Sequence, residues 1–129
     1  MVASPILVLE NYLELCHVIE ETLENPGFAA DITHSGADAL QEVRRNSYPA
    51  AIMDAHLPDA EAGPLLQDMR RHQPDIGGIL LARDRSLESL KARIEDGFFD
   101  VLTQPLNPHR LLTRIEELAE EATWLRSIG

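Results

Sequence analysis

Short unbroken apolar runs recur along this chain, and each is followed by a longer segment whose apolar residues return at helical spacing. No other feature restricts the fold as strongly. "PILVL" (Pro5 to Leu9) has strand length. From Asn11 to Glu24 the apolar residues Tyr12, Leu15, Cys16, Ile19 and Leu23 mark one face of a helix, which "NPG" at Asn25 to Gly27 ends. "FAADIT" (Phe28 to Thr33) is a second, weaker strand, and a helix from about Gly36 to Asn46 carries Ala39, Leu40 and Val43 on one side. "AAIMD" (Ala50 to Asp54) is the third run, followed after a loop by "GPLLQDMRRH", where Pro64 suits a first helical turn. "GGILLA" (Gly77 to Ala82) is the fourth strand. Ser86 is placed to cap a helix through Leu87, Leu90 and Ile94 that stops at Gly97. "DVLT" (Asp100 to Thr103) is the fifth strand, and Asn107 with Pro108 starts a last helix with Leu111, Leu112, Ile115, Leu118, Ala119 and Ala122 on its apolar face.

Strands that are apolar throughout, separated by amphipathic helices, imply an α/β fold with a parallel sheet covered on both faces. Right-handed crossovers leave few topologies for such a sheet. At 129 residues one domain is expected, with residues 1–125 forming it and 126–129 a tail or the start of a linker. The formal charge of −11 opposes nucleic acid as a direct partner, because a polyanion is bound by clustered Lys and Arg. The paired cations here, Arg44-Arg45 and Arg70-Arg71, fall near helix ends, where they complement the dipole. No apolar run reaches membrane-span length, and the opening "MVASPILVLE" lacks the basic region of a signal peptide. With Cys16 as the sole cysteine no disulfide forms within the chain, so a reducing cytoplasm is the expected compartment.

In doubly wound sheets the functional crevice lies beyond the C-terminal ends of the strands. That rule selects Glu10 and Asn11, Asp54, Ala82 and Arg83, and Gln104. The pieces "ILVLEN", "AAIMDAHLP", "DIGGILLAR" and "DGFFDVLTQP", in this order and spacing, resemble the receiver domain of two-component response regulators over nearly the whole chain. The resemblance implies a (βα)5 fold with the flavodoxin-like strand order 2-1-3-4-5. It also implies a signalling module rather than an enzyme, in a phosphorelay with a histidine kinase or phosphotransfer protein as partner. By position, Asp54 is the phosphoacceptor. Mg²⁺ would be held by Glu10, Asn11, Asp54 and the carbonyl of His56, since magnesium prefers hard oxygen ligands.

The chain departs from the family pattern at several of these positions. The acid pair is Glu10-Asn11, the hydroxyl position is Ala82, the lysine position is Gln104 and the aromatic switch position is Val101. An amide at position 104 does not equal the charge-assisted bond of an ammonium to a phosphoryl group. Arg83 either compensates by pairing with Asp54 or a phosphate, or points into solvent beside Asp84 and Arg85. Glu10 is either a metal ligand or an acid at a helix N-terminus, and Asn11 either a ligand or an N-cap. The imidazole of His56 is expected at the surface, Cys16 in the core, and Trp124 either in packing or against an output domain. Three functions follow: a phosphoacceptor with a weakened site, a pseudo-receiver that binds partners without phosphorylation, or a small-molecule binding domain on the same fold. An output domain or a homodimer is the further partner expected.

Overall fold

The computed structural model describes residues 4–24, 27–83, 91 and 93–128. Five strands, β1 (Ser4–Leu9), β2 (Phe28–Thr33), β3 (Ala50–Asp54), β4 (Gly77–Ala82) and β5 (Asp100–Thr103), form one parallel sheet in the order β2-β1-β3-β4-β5. The described helices are α1 (Leu13–Glu24), α2 (Gly36–Arg45), α3 (Ala62–His72) and α4 (Pro108–Ile128). The fold class and strand order are those expected from the sequence.

Burial explains why these runs are strands. Along β1 the side chains alternate between two cores: Ile6 and Val8 pack with Ile19 of α1 and Leu111 and Ile115 of α4, whereas Leu7 and Leu9 pack with Val43 of α2 and Leu66 and Met69 of α3. A strand covered on both faces is apolar throughout, as β1, β3 and β4 are. β2 and β5 are edge strands with one neighbour each, and their half-buried residues account for the weaker apolar character of "FAADIT". Polar contacts fix α4 on the sheet. Asp100, almost fully buried, accepts a 2.8 Å bond from Nε of Arg114 and a 3.4 Å bond from Arg110. Burial works against the Asp100 charge, but the two guanidiniums and the Val101 amide outweigh it and hold the carboxyl below its ordinary range.

Asn107 caps α4 as expected, accepting from the Arg110 N–H, and Ser35, not singled out in the sequence, caps α2 through the Asp38 N–H. Three readings change. The first helix begins at Leu13 and not at Asn11, so Tyr12, expected on its inner face, is 60% exposed. Asn11, two residues before the first helical residue, is not its cap, and its own amide donates to Glu10. Ile94, expected on a covered face, is 72% exposed; Phe98 enters the core instead, and the turn before it is held by polar bonds from Gln67 to the Asp96 carbonyl and from Arg70 to the Gly97 carbonyl. The expected cap at Ser86 and the residues Leu87 and Leu90 lie outside the described residues. α4 runs through Ile128.

The two glycines that open β4 are required by close packing on both faces. A Cβ on Gly77 would lie within 3.1 Å of three Leu118 side-chain atoms, and one on Gly78 within 3.1 Å of Phe98 and Leu66. Gly77→Ala is therefore expected to destabilise the fold by about 1–3 kcal/mol through overpacking. In urea unfolding, Leu118→Ala should relieve part of that cost, making the double variant more stable than the sum of the single effects implies.

Candidate functional site: two carboxylates at the switch point

β1 connects leftward to β2 and, through β2 and α2, the chain returns to β3 on its other side, so the switch point lies between β1 and β3. The register pairs Leu9 with Met53, which places Glu10 just beyond the end of β1 and Asp54 at the end of β3. The backbone holds Glu10 from several directions. Its N–H donates to the Thr33 carbonyl at 3.1 Å, extending the β1–β2 ladder by one bond. Its carbonyl lies 2.8 Å from Nδ1 of His34 and 3.5 Å from Sγ of Cys16.

The Glu10 side chain is fully buried. Oε1 accepts from the amides of Asn11 at 3.0 Å and Tyr12 at 3.1 Å, while Oε2 is buried without a hydrogen-bond partner. Burial, together with the neighbouring Asp54 carboxylate, pushes the Glu10 carboxyl up to about 7 against the opposing pull of the two amides. The unpartnered oxygen and the raised affinity for a proton share one cause, burial beside a second acid. Asp54 itself is half-buried, and its Oδ1 accepts from the His56 amide at 2.9 Å.

The remaining candidates fall around this pair in two groups. Asn11, Arg83 and Gln104 line one cavity of about 660 Å³, with the apolar side chains of Tyr12, Leu13 and Val18. All three are exposed, and among the described residues no ion pair joins Arg83 to Asp54. Ala82 is buried at the end of β4, where its carbonyl accepts the Gln104 amide at 3.0 Å. Val101 is half-buried against the core on the α2 and α3 side of the sheet. The His56 side chain is exposed. Among the described residues no three His, Cys, Asp or Glu side chains gather in a metal-holding group.

Asp59 was not singled out by sequence reasoning. Its carboxylate crosses from the loop after β3 to the N-terminus of α2, accepting the Gly36 amide at 2.8 Å and the Ala37 amide at 3.2 Å. These bonds pull its carboxyl below the ordinary range. The loop that carries Asp54 and His56 is thereby tied to a second helix. Only the acidic residue after Pro58 hinted at this, and the spacing of 23 residues hid its partner.

A parallel sheet in this order, with a carboxylate at the tip of its third strand and another beside it, defines the architecture of a receiver module. Residues 6–116 match the response regulator receiver domain family, and the chain belongs to that family. Receiver domains of this family are signalling modules rather than enzymes. The chain is 29% identical over 126 residues to the transcriptional regulatory protein GltR of Pseudomonas aeruginosa, covering 96% of this chain and 52% of GltR. It is 26% identical over 125 residues to the transcriptional regulatory protein YkoG of Bacillus subtilis, covering 96% of this chain and 55% of YkoG. The chain thus spans about half the length of these two relatives. Among solved structures, the signal receiver domain of an HD domain-containing protein from Pseudomonas fluorescens Pf-5 superposes with a TM-score of 0.87 at 22% identity, covering 98% of this chain and 94% of that one.

The raised Glu10 carboxyl has a consequence for stability. Folding favours its protonated form, so its stabilising contribution is complete below an ordinary glutamate pKa and is lost as the pH rises through about 7. Glu10→Gln keeps the amide contacts and removes the charge. The variant is expected to gain on the order of 2 kcal/mol relative to the parent chain between pH 5 and pH 8. Urea denaturation at the two pH values measures that difference.

Proposed function

We propose that this domain receives a phosphoryl group on Asp54 within a phosphorelay, through a site weakened by Ala82, Gln104 and Asn11. The observation that carries this reading is the half-buried Asp54 at the switch point beside the buried, unpartnered oxygen of Glu10. The His56 amide holds Oδ1, which leaves Oδ2 to attack phosphorus. The new acyl-phosphate bond forms as the donor's bond to phosphorus breaks, and the leaving imidazole or acetate departs with that electron pair. Glu10 must be ionised or turned from Asp54 for the attack, because a proton shared between them lowers the nucleophilicity of Asp54.

A divalent cation fits this donor set. Magnesium is commonly held by one or two carboxylates with several waters, and here the buried Glu10 and half-buried Asp54 are neighbouring acids with no ion-pair partner among the described residues. Glu10 and Asp54 would hold it, with the His56 carbonyl and, from the rim, Asn11. When bound, magnesium neutralises the charge that separates a carboxylate from a phosphoryl donor. The apolar side chains of Tyr12, Leu13 and Val18 beside Arg83 and Gln104 offer the surface on which a histidine kinase or phosphotransfer protein would dock. Transcriptional control, named for two relatives, would belong to regions beyond this domain, since its own charge of −11 opposes DNA. Such a relay operates in the cytoplasm.

The second reading is a pseudo-receiver that binds partners without phosphorylation. It draws on Ala82 and Gln104, which supply neither the hydroxyl nor the ammonium that a bound phosphoryl group would engage. Incubation with acetyl phosphate and Mg²⁺, read by intact mass, separates the two. A phosphoryl adduct that disappears in Asp54→Ala is the expected result. Absence of an adduct from both acetyl phosphate and a cognate kinase would favour the pseudo-receiver. Gln104→Lys with Ala82→Thr is expected to raise adduct yield or lifetime roughly tenfold, the scale of one charge-assisted hydrogen bond.

A further inference from the structure

α4 is longer than the sheet it covers. Its 21 residues span about 31 Å, at 1.5 Å per residue, whereas the strands have at most 6 residues. Leu111, Ile115 and Leu118 are buried, but no described residue after Leu118 is. That overhang nevertheless carries Trp124, 60% exposed, and Ile128, 61% exposed, one helical turn apart. Single apolar residues on a surface are ordinary, but Trp124 lines a groove. Phe28, at the start of β2, forms one wall, and Ala119, Thr123 and Trp124 form the other, around about 520 Å³. This groove lies at the start of β2, at the opposite end of the sheet from Asp54.

The same groove is lined by Glu116 and Glu120. Glu117 pairs with Arg114 at 2.8 Å, whereas among the described residues Glu116 and Glu120 have no ion-pair partner. An aromatic wall edged by two carboxylates is complementary to a guanidinium or ammonium with an aliphatic stem. The cation can lie over the Trp124 ring and face the carboxylates together. A second copy of this chain suits the groove poorly, since it would bring the same carboxylates and a charge of −11.

We propose that the groove between Phe28 and the C-terminal half of α4 docks a cationic amphipathic segment of a partner protein, with an Arg or Lys seated on Trp124 between Glu116 and Glu120. This surface is separate from the phosphoryl site, and its occupation does not depend on modification of Asp54.

A synthetic amphipathic helical peptide with arginine on one face and leucine on the other, and without tryptophan, serves as the probe. Trp124 is the sole tryptophan, so its emission reports this groove directly. Saturable binding with a blue shift is expected, weakening with salt. Calorimetry should show a loss of roughly tenfold in affinity for Trp124→Ala, the effect of removing an interface anchor. Glu116→Gln with Glu120→Gln should cost about three- to tenfold. Asp38→Asn with Asp75→Asn removes the same charge elsewhere and should change affinity little. Equal weakening by the two charge pairs would overturn the proposal, as would binding without a change in Trp124 emission. Self-association lost in Trp124→Ala, with no peptide binding, would assign the groove to a second copy and overturn it as well.

Discussion

Two carboxylates meet where the chain reverses its winding direction, and the rest of the site is organised around keeping both of them there. A buried carboxylate survives when hydrogen bonds or a cation compensate the lost water. Glu10 receives such compensation at one oxygen only, from the amides of Asn11 and Tyr12, and its other oxygen faces Asp54 without a partner. Under the proposed function, a bound cation would offset that charge; otherwise burial favours the protonated form of Glu10. The same carboxylate holds the amides of Asn11 and Tyr12 just ahead of α1, where Tyr12 and Leu13 are exposed.

The loop on the other side of the pair is restrained in a similar way. Asp54 accepts the His56 amide and Asp59 accepts two amides of α2, so three residues of one loop have their polar groups engaged. Gly36 is packed against Ala60 and Leu65, which brings the N-terminus of α2 close to that loop. These contacts join the segment after Asp54 to the start of α2. The connection toward β5 is less developed. Ala82 is joined to Gln104 by a backbone bond, and Val101 is held within the core on the far face.

The sheet was legible because a strand buried on both faces leaves an uninterrupted apolar run, and "ILVL", "AAIM" and "GGILLA" could hardly be anything else in sequence with amphipathic helices. The resemblance supplied the strand order, and the register then brought Glu10 beside Asp54. What the sequence concealed were side chains acting on distant or non-periodic backbone. Glu10 bonds the amides of its two successors, a contact that no periodic pattern marks. Asp59 bonds to residues far away in sequence, and Ile94 fits an apolar spacing that Phe98 makes redundant. Helical period identifies an apolar face; it does not say whether anything covers it, as Tyr12 and Ile94 both show.

The state of the Glu10–Asp54 pair is the point on which both the chemistry and the local structure turn. Carbon-13 NMR of the side-chain carboxyls, titrated with pH in the absence and presence of Mg²⁺, observes it directly. The expected result is a Glu10 midpoint near 7 without metal, in line with its raised carboxyl, moving to lower pH when magnesium is added. A Glu10 midpoint at an ordinary glutamate value, unmoved by magnesium and by Asp54→Asn, would contradict it.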